Sequence, residues 1–298
     1  MSYKSGFVSI VGRPNVGKST LLNQVVGAKI AIMSDKPQTT RNKIRAVLTS
    51  EKGQIIFIDT PGVQKPRNKL GEFMLKQALT SLDEVDVLLY VVEANSPIGP
   101  QENYLLKTLA EVKTPIILVV NKIDVAKMIE AQTLAGQIES KIKVAKTYYI
   151  SALNGTGVSE LVEGIFELLP EGPPYYPEGQ VTDYPERFII AEYIREQILH
   201  LTREEIPHSV AVVVEEIKPR ENSNTVYVSA VIYVERESQK GIIIGKNGQM
   251  LKEIGQRARL EIERLLGSNI YLDLWVKVKE DWRNKDVWIR NFGFTEFE

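Results

Sequence analysis

The sequence contains no cysteine and only two histidines, His200 and His208. Without cysteine there can be no disulfide, thiolate zinc site, iron–sulfur cluster or cysteine nucleophile. Two histidines also disfavour a metal site built from several imidazoles. A chain without cysteine fits a reducing cytosol.

Long hydrophobic runs and an excess of one charge are also lacking. The longest apolar runs, VLLYVV at 87–92 and PIILVV at 115–120, have six residues each, whereas a membrane-spanning helix needs about 20. The N-terminal stretch MSYKSGFVSIVG has no apolar core of a signal peptide. The net charge is −1, so binding to nucleic acid or anionic lipid requires a local patch. We expect a soluble, cytoplasmic protein.

The chain has 298 residues, which is enough for two domains of ordinary size. Residues 1–170 alternate nearly continuous apolar runs with helical patterns. This predicts an α/β domain with a mostly parallel sheet covered on both faces, with 43–50 as a candidate edge strand. Five of the 14 prolines fall between Pro170 and Pro185, so 171–184 is predicted to be a linker. Residues 185–298 follow a different order, α-β-β-α-α-β, which predicts an α+β domain.

The stretch GRPNVGKS at 12–19 matches the pattern G-x-x-x-x-G-K-[ST] between a predicted strand and a predicted helix. Gly12 and Gly17 let the backbone wrap around phosphates with its N–H groups pointing inward. Lys18 then reaches the β- and γ-phosphates, and Ser19 offers a hydroxyl to Mg²⁺. A plain glycine-rich turn is the alternative, and the complete motif disfavours it.

Three shorter motifs follow in order: DTPG at 59–62, NKID at 121–124 and SAL at 151–153. Asp59 is a candidate Mg²⁺ ligand, and Gly62 offers its N–H to a γ-phosphate. Asp124 selects guanine, because adenine would present a lone pair to the carboxylate and leave its charge unpaired. The predicted nucleotide-binding residues are Gly12, Arg13, Pro14, Asn15, Val16, Gly17, Lys18, Ser19, Thr20, Asp59, Thr60, Pro61, Gly62, Asn121, Lys122, Asp124, Ser151, Ala152 and Leu153.

These four motifs, in this order and spacing, resemble the small GTP-binding fold, a P-loop GTPase domain, over about residues 5–170. The resemblance implies a mobile threonine that closes on Mg²⁺ when the γ-phosphate is present. Thr40 in KPQTTRNKI is the best match, and Thr39 is the second choice. The implied metal ligands are Ser19, Thr40 and Asp59.

The hydrolysis machinery is less complete. Val63 stands where signalling GTPases carry a glutamine that orients water, and Gln64 is a candidate substitute. In some members of the group with a hydrophobic residue there, a phosphate-loop asparagine helps to hold K⁺. Asn15 has that place, so we hypothesise hydrolysis stimulated by K⁺, with an arginine finger from Arg13, Arg41 or a partner as the alternative. The predicted catalytic residues are Lys18, Thr40, Gly62 and Asn15.

The second half contains IIIGKNGQMLKEIG at 242–255, a G-x-x-G between two predicted helices. With the order α-β-β-α-α-β, this resembles the KH fold in its bacterial arrangement, type II, which clamps about four nucleotides of single-stranded RNA or DNA. Together with Ile243 and Ile244, Ile254 is a candidate for lining an apolar groove that receives bases. Residues 236–264 contain seven basic and four acidic side chains, a local excess of positive charge. The predicted RNA-binding residues are Ile243, Ile244, Gly245, Lys246, Asn247, Gly248 and Lys252.

A GTPase domain followed by one KH domain resembles the KH-bearing bacterial GTPases of the TrmE-Era-EngA-like group. The resemblance implies binding near the 3′ end of 16S ribosomal RNA, a role in 30S subunit assembly, a monomer, and peripheral association with the inner membrane. The alternative is a GTPase acting on protein or membrane partners, with the second domain as a docking module. A tRNA-modifying GTPase is disfavoured because no cysteine-bearing C-terminal motif is present. A relative with two tandem GTPase units is excluded by the single phosphate loop.

The aromatic residues of the second half and the linker are predicted to pack against protein. We expect buried or half-buried positions for Trp275, Trp282 and Trp288, and packing against a domain for Tyr175 and Tyr176.

Overall fold

The computed structural model describes residues 2–83, 85–220 and 225–294. The chain divides into two compact units. The first contains residues 1–31, 40–67 and 71–183, and the second contains residues 32–39, 68–70 and 184–298. Among the described residues, no helix has both the length and the apolar character needed to cross a bilayer.

The first unit is built on six strands in the order β2-β3-β1-β4-β5-β6. These strands are β1 (Lys4–Val11), β2 (Ile44–Ser50), β3 (Gly53–Asp59), β4 (Val87–Glu93), β5 (Ile116–Asn121) and β6 (Lys146–Tyr149). In the part of the chain that the structure describes, β2 is the one strand of this sheet that runs antiparallel to its neighbour, with Ile44 opposite Asp59. The mostly parallel sheet is confirmed, and 44–50 is its edge strand.

Five helices cover this sheet: α1 (Lys18–Val26), α2 (Lys69–Thr80), α3 (Pro100–Leu109), α4 (Met128–Glu139) and α5 (Val158–Leu168). Helices α1 and α5 share one apolar cluster with the sheet, and α2, α3 and α4 share another. With both faces covered, the inner strands β4 and β5 are buried along almost their full length. This explains why the two longest apolar runs of the sequence are strands.

The sheet brings the nucleotide motifs together. The strands β1, β3 and β5 are parallel, and 12–17, 59–62 and 121–124 follow their carboxyl ends. The strand order reverses at β1, which lies between β3 and β4. Ligands of open parallel sheets bind in the crevice at such a reversal.

The predicted linker packs along the first unit. The side-chain oxygen Oε1 of Gln54 accepts hydrogen bonds from the backbone N–H groups of Tyr175 and Tyr176, at 2.7 and 2.9 Å. The Tyr175 ring meets the Phe7 ring edge-on, with centroids 4.9 Å apart. The segment 171–183 is therefore held by the first unit and does not act as a free tether.

The second unit has a three-stranded sheet in the order β7-β8-β9. Its elements are α6 (Glu186–Leu201), α7 (Ile206–Ser209), β7 (Ala211–Pro219), β8 (Thr225–Val234), α8 (Glu237–Ile244), α9 (Gln249–Leu266), β9 (Asn269–Val278) and α10 (Asp286–Asn291). β7 and β8 are antiparallel, whereas β8 and β9 are parallel and are connected through α8 and α9. Part of the predicted turn PRENSN, residues 221–224, lies outside the described residues. The predicted order of elements is confirmed.

The three tryptophans have different environments. Trp282 is fully buried and donates its indole N–H to the carbonyl of Ser209, at 2.8 Å. Trp288 is half-buried, with the ammonium group of Lys279 4.3 Å from its ring centroid. Trp275 is 59% exposed, so the packing prediction is confirmed for Trp282 and Trp288 and is wrong for Trp275. Trp275 alternates with Leu274 and Val276, which face the core, so its ring points outward.

Candidate functional site: a nucleotide site and a nucleic-acid groove

The phosphate loop at 12–17 connects β1 to α1 and contains a backbone that only glycine adopts easily. Gly17 has φ 98°, and a Cβ atom there would lie 2.2 Å from the amide nitrogen of Asn121. Both the left-handed conformation and the close approach therefore require glycine at position 17. The first turn of α1 follows directly, so its free N–H groups face the loop as an anion site.

Lys18 is buried at the centre of this loop. Its ammonium group donates to the carbonyls of Arg13 and Gly12, at 2.8 and 3.3 Å. Burial lowers the pKa of Lys18 to about 8, although the carboxylates of Asp59 and Glu102 act in the opposite direction. A bound phosphate would supply the negative charge that favours the protonated form, which fits the predicted role of Lys18.

Ser19, Thr40 and Asp59 lie together beside Lys18. The Oδ2 atom of Asp59 accepts hydrogen bonds from the hydroxyls of Ser19 and Thr40, at 2.6 and 3.4 Å, and the two hydroxyls are 2.9 Å apart. Among the described residues no hydrogen-bond donor reaches the buried Oδ1 atom of Asp59, and burial raises the pKa of this carboxyl. A buried acceptor without a donor beside two hydroxyls suits Mg²⁺, which prefers oxygen ligands.

The structure also distinguishes the two threonines of the KPQTTRNKI segment. Thr39 turns away from this cluster, and its hydroxyl donates to the carbonyl of Lys36 at 2.6 Å. Thr40 is 7% exposed and contacts Ser19 and Asp59. The geometry supports Thr40 as the predicted threonine and gives Thr39 no metal role.

Asn121 joins the loops that surround the base position. Its amide nitrogen donates to the carbonyl of Val16 at 2.8 Å, and its Oδ1 atom accepts from the backbone N–H of Ala152 at 2.9 Å. Lys122 has φ 67° and pairs with Glu93 at 3.0 Å. Through these contacts, Asn121 and Lys122 support the loops around the site. The Ala152 N–H is used in this contact, and nucleotide binding by Ser151, Ala152 and Leu153 stays a prediction.

Asp124 ends the NKID motif with an exposed side chain. It follows the supported residues 121 and 122 and lies at the carboxyl end of β5. An exposed carboxylate on a braced loop is available to accept from guanine N1–H and the exocyclic amine. Its role as the base reader remains a prediction.

The DTPG loop packs against the phosphate loop. The backbone N–H of Val63 donates to the carbonyl of Gly12 at 3.1 Å, and the hydroxyl of Thr60 donates to the carbonyl of Ile10 at 2.7 Å. A Cβ atom on Gly62 would lie 2.6 Å from the backbone nitrogen of Pro14. Gly62 is thus needed for the two loops to approach each other.

The candidates for a catalytic group are limited by their surroundings. Val63 is buried, and Gln64 lines a mainly apolar cavity of about 410 Å³ with Leu75, Pro100 and Tyr104. Nothing in this placement gives Gln64 the role of the missing glutamine.

The guanidinium of Arg13 is also occupied. Its Nη2 atom donates to Ser96 at 2.8 Å, and its Nε atom forms an ion pair with Glu102, which also accepts from the Tyr90 hydroxyl. Glu102 is only 2% exposed, so the pair is enclosed. Arg13 therefore does not fit the role of an arginine finger. Arg41, the other candidate in this chain, is buried as well.

We expect Asn15→Ala to abolish stimulation of hydrolysis by K⁺. Asn15 is exposed in the phosphate loop with φ 65°, and its amide oxygen is the proposed ligand. Loss of the cation should lower the rate in K⁺ about tenfold or more, because positive charge at the transferring phosphoryl group is a large contribution to catalysis. The rate is measured in KCl and NaCl at equal ionic strength.

Asn15→Gly is the matched variant, since it removes the side chain without straining the positive φ. Both variants should lose the K⁺ response and keep their affinity for GTP. An unchanged K⁺ response in Asn15→Gly would show that Asn15 holds no cation.

In the second unit, the G-x-x-G forms a short turn between α8 and α9. Gly245 and Gly248 have φ 73° and 76°, and Asn247 has φ 52°. Lys246 and Asn247 are exposed on the turn, and α9 begins directly after Gly248. The turn brings together exposed backbone, the ammonium group of Lys246 and the N-terminus of α9. This arrangement is suited to binding a phosphate.

A groove begins beside this turn, between α9 and β9. Its volume is about 410 Å³, and it is lined by Gly248, Leu251, Lys252, Gly255, Gln256, Arg259, Ile270, Tyr271, Leu272 and Leu274. A Cβ atom on Gly255 would lie 3.4 Å from Leu274 Cδ1, an ordinary van der Waals contact, so packing of the helix on the strand does not require glycine there. The floor is apolar, and the rim carries Lys252 and Arg259.

Two of the predicted groove isoleucines are in the core. Ile243 and Ile254 are completely buried among residues of α6, β7 and β8, so neither reaches a ligand, while Ile244 is half-buried. The RNA-binding residues predicted from the sequence do not include Leu251, Gly255, Arg259, Leu272 and Leu274, which line this groove. The i, i+4, i+8 spacing of 251, 255 and 259 was an available signal for one face of α9.

Comparisons with known proteins match both domains. Residues 7–122 match the family described as 50S ribosome-binding GTPase, and residues 205–283 match the KH domain family. The chain is 98% identical over 298 residues to GTPase Era of Carboxydothermus hydrogenoformans, with 100% of each sequence covered.

Two solved structures are similar over nearly the whole chain. A variant of Aquifex aeolicus Era bound to GDP and AlF4⁻ has a TM-score of 0.94 at 44% identity, covering 98% of this chain and 99% of that one. A structure of Era in complex with MgGDPNP and nucleotides 1506–1542 of 16S ribosomal RNA has a TM-score of 0.95 at 44% identity, with the same coverage. From the two sites, the two domain matches and the full-length identity, the chain belongs to the Era family of GTPases.

Proposed function

We propose that this protein hydrolyses GTP and uses the bound nucleotide to control RNA binding during assembly of the 30S ribosomal subunit. The observation that carries the proposal is the presence, in one chain, of a nucleotide loop with a metal-type cluster and a KH groove. We propose action as a monomer in the cytoplasm, and peripheral association with the inner membrane is part of the same proposal.

The residues of the nucleotide site divide the chemistry among them. Lys18 and the N–H groups of the phosphate loop bind the phosphates, and Asp124 reads the base. Ser19, Thr40 and Asp59 would hold Mg²⁺, which would supply positive charge against the negative charge that develops on the phosphates. Because Val63 cannot orient water, we propose that K⁺ at Asn15 adds positive charge.

The proposed RNA ligand is a single-stranded segment near the 3′ end of 16S ribosomal RNA. The support is the similar Era structure that holds nucleotides 1506–1542 of that RNA, together with the groove of this chain. Phosphates would lie against Gly245–Gly248, and bases would enter the apolar floor at Leu251 and Leu272. Lys252 and Arg259 supply local positive charge in a chain whose net charge is −1.

The switch requires that RNA affinity depends on the nucleotide. We expect about a tenfold or larger difference in affinity for the 3′ fragment of 16S RNA between the GDP form and the form with a non-hydrolysable GTP analogue. Fluorescence anisotropy with a labelled fragment measures both affinities, with a scrambled RNA of equal length as control. Equal affinities in the two forms would show that there is no switch. Equal affinity for the scrambled RNA would show that binding is not specific for the 16S sequence.

A further inference from the structure

Residues 32–39, which lead to the metal-binding Thr40, group with the second unit and lie against α6. Ile32 is 1% exposed and is part of the apolar core that contains Ile189, Ile190 and Ile194 of α6. The next residue is held by a polar contact, because the backbone N–H of Met33 donates to Glu196 Oε1 at 2.9 Å. The start of the segment is thus fixed to this helix.

The end of the segment is held by the neighbouring residue of the same helix. Arg195 donates a hydrogen bond from Nη2 to the carbonyl of Thr39. The guanidinium is oriented by Glu192, which accepts from Nε at 2.7 Å and from Nη2 at 2.5 Å. Adjacent residues of α6 therefore hold the two ends of 33–39.

These contacts explain an unusual feature of α6. Arg195 and Glu196 are 1% and 3% exposed, and burial of charged side chains is costly unless they are partnered. Packing of a helix on a sheet requires only apolar side chains at such positions. The partners of Arg195 and Glu196 include backbone groups of 33–39, so holding this segment gives the buried charges a specific role.

We propose that Arg195 and Glu196 are positioning residues for Thr40. The chain passes from Thr39, whose carbonyl Arg195 holds, directly to Thr40, whose hydroxyl lies 2.9 Å from Ser19 Oγ and 3.4 Å from Asp59 Oδ2. Fixing the preceding peptide group limits the positions open to Thr40.

The energetic consequence is selectivity for the triphosphate. A segment that is already held loses less conformational freedom when Thr40 closes on the metal with GTP. GDP has no γ-phosphate, and Thr40 is expected to close only when that group is present. The two contacts should therefore raise affinity for GTP and leave affinity for GDP unchanged.

The first experiment uses Arg195→Met in the full chain. Methionine keeps much of the apolar stem and removes the donor to Thr39. We expect the affinity for a non-hydrolysable GTP analogue with Mg²⁺ to fall about tenfold, the scale of one hydrogen bond from a charged group, while GDP affinity stays the same. Arg187→Met is the matched control, because Arg187 is an exposed residue of the same helix, and both affinities should remain at wild-type values.

A double-mutant cycle with Thr40→Ala tests whether Arg195 acts through Thr40. If it does, Arg195→Met should have no further effect on analogue affinity in the Thr40→Ala background. A full tenfold effect in that background would overturn the proposal, as would an equal loss of GDP and analogue affinity in the single variant.

The second contact gives an independent pair of variants, which also serves if Arg195→Met does not fold. Glu196→Met removes the acceptor for the Met33 N–H and should lower only analogue affinity, whereas Glu196→Gln keeps an Oε1 acceptor and should restore most of it. Unchanged analogue affinity in folded Glu196→Met would contradict a positioning role for this residue.

Discussion

Replacing Asp124 with asparagine is expected to shift the preference of the site from guanine to xanthine nucleotides. The carboxylate accepts from guanine N1–H and the exocyclic amine, whereas an asparagine amide also donates and matches the carbonyl oxygen that xanthine carries in place of the amine. Affinity for GTP should fall about 100-fold or more, because polar groups of the site are left without partners. Competition binding with GTP, XTP and ATP measures the change.

A control for the charge itself is Asp83→Asn, since Asp83 is exposed at a distance in sequence from every nucleotide motif. This variant should keep wild-type affinities for all three nucleotides. If Asp124→Asn retained its selectivity for GTP over XTP, another group would have to read the base, and the assignment of NKID would be wrong.

Replacing Gly248 with aspartate is expected to remove RNA binding while GTP hydrolysis without RNA is unchanged. A Cβ atom at position 248 meets nothing within 4 Å, so the carboxylate enters the space assigned to the RNA phosphate. Repulsion and the lost approach of the backbone should lower RNA affinity about 100-fold. Anisotropy with the 3′ fragment of 16S RNA and a phosphate-release assay measure the two properties.

Gly248→Asn is the matched variant, because asparagine has the same size and tolerates the positive φ about as well as aspartate does. It should retain more RNA affinity than Gly248→Asp, and the difference isolates the charge. Gly245→Asp is a less clean variant, since its Cβ atom would lie 2.7 Å from Met250 Cβ. Wild-type RNA affinity in Gly248→Asp would mean that the phosphate backbone does not lie against this turn.

Much of the fold and of the nucleotide site could be predicted because the signals are local. Lys18, Ser19 and Asp59 stand in short motifs at strand ends, and a parallel sheet brings such ends together. The strand 44–50 followed from its apolar pattern. In the second unit, the order of helices and strands around Gly245 and Gly248 was sufficient to predict the KH fold.

The remaining features depend on partners that are distant in sequence. The pairing of Arg13 with Glu102 joins residues far apart in the chain, and no pattern near Arg13 indicates it. The burial of Ile243 and the groove position of Leu251 depend on which helix face meets the sheet. Likewise, the hydrogen bond between Arg195 and the carbonyl of Thr39 joins residues 156 positions apart in the sequence. No local motif indicates this contact.

The contacts of Asn121 have a consequence for how the affinities of the base and of the phosphates combine. Its side chain forms hydrogen bonds with Val16 in the phosphate loop and with Ala152 in the SAL motif, so it joins both to its own NKID loop. The absence of a Cβ atom at Gly17 leaves room for this side chain. The three loops are thus preorganised before any ligand arrives, and the entropy of ordering them is lost during folding. Guanosine without phosphates would bind to base-binding loops that are already ordered. Pyrophosphate without a base would likewise bind to a phosphate loop that is already ordered. Linking the two halves in one molecule should then give an affinity gain close to the full chelate effect.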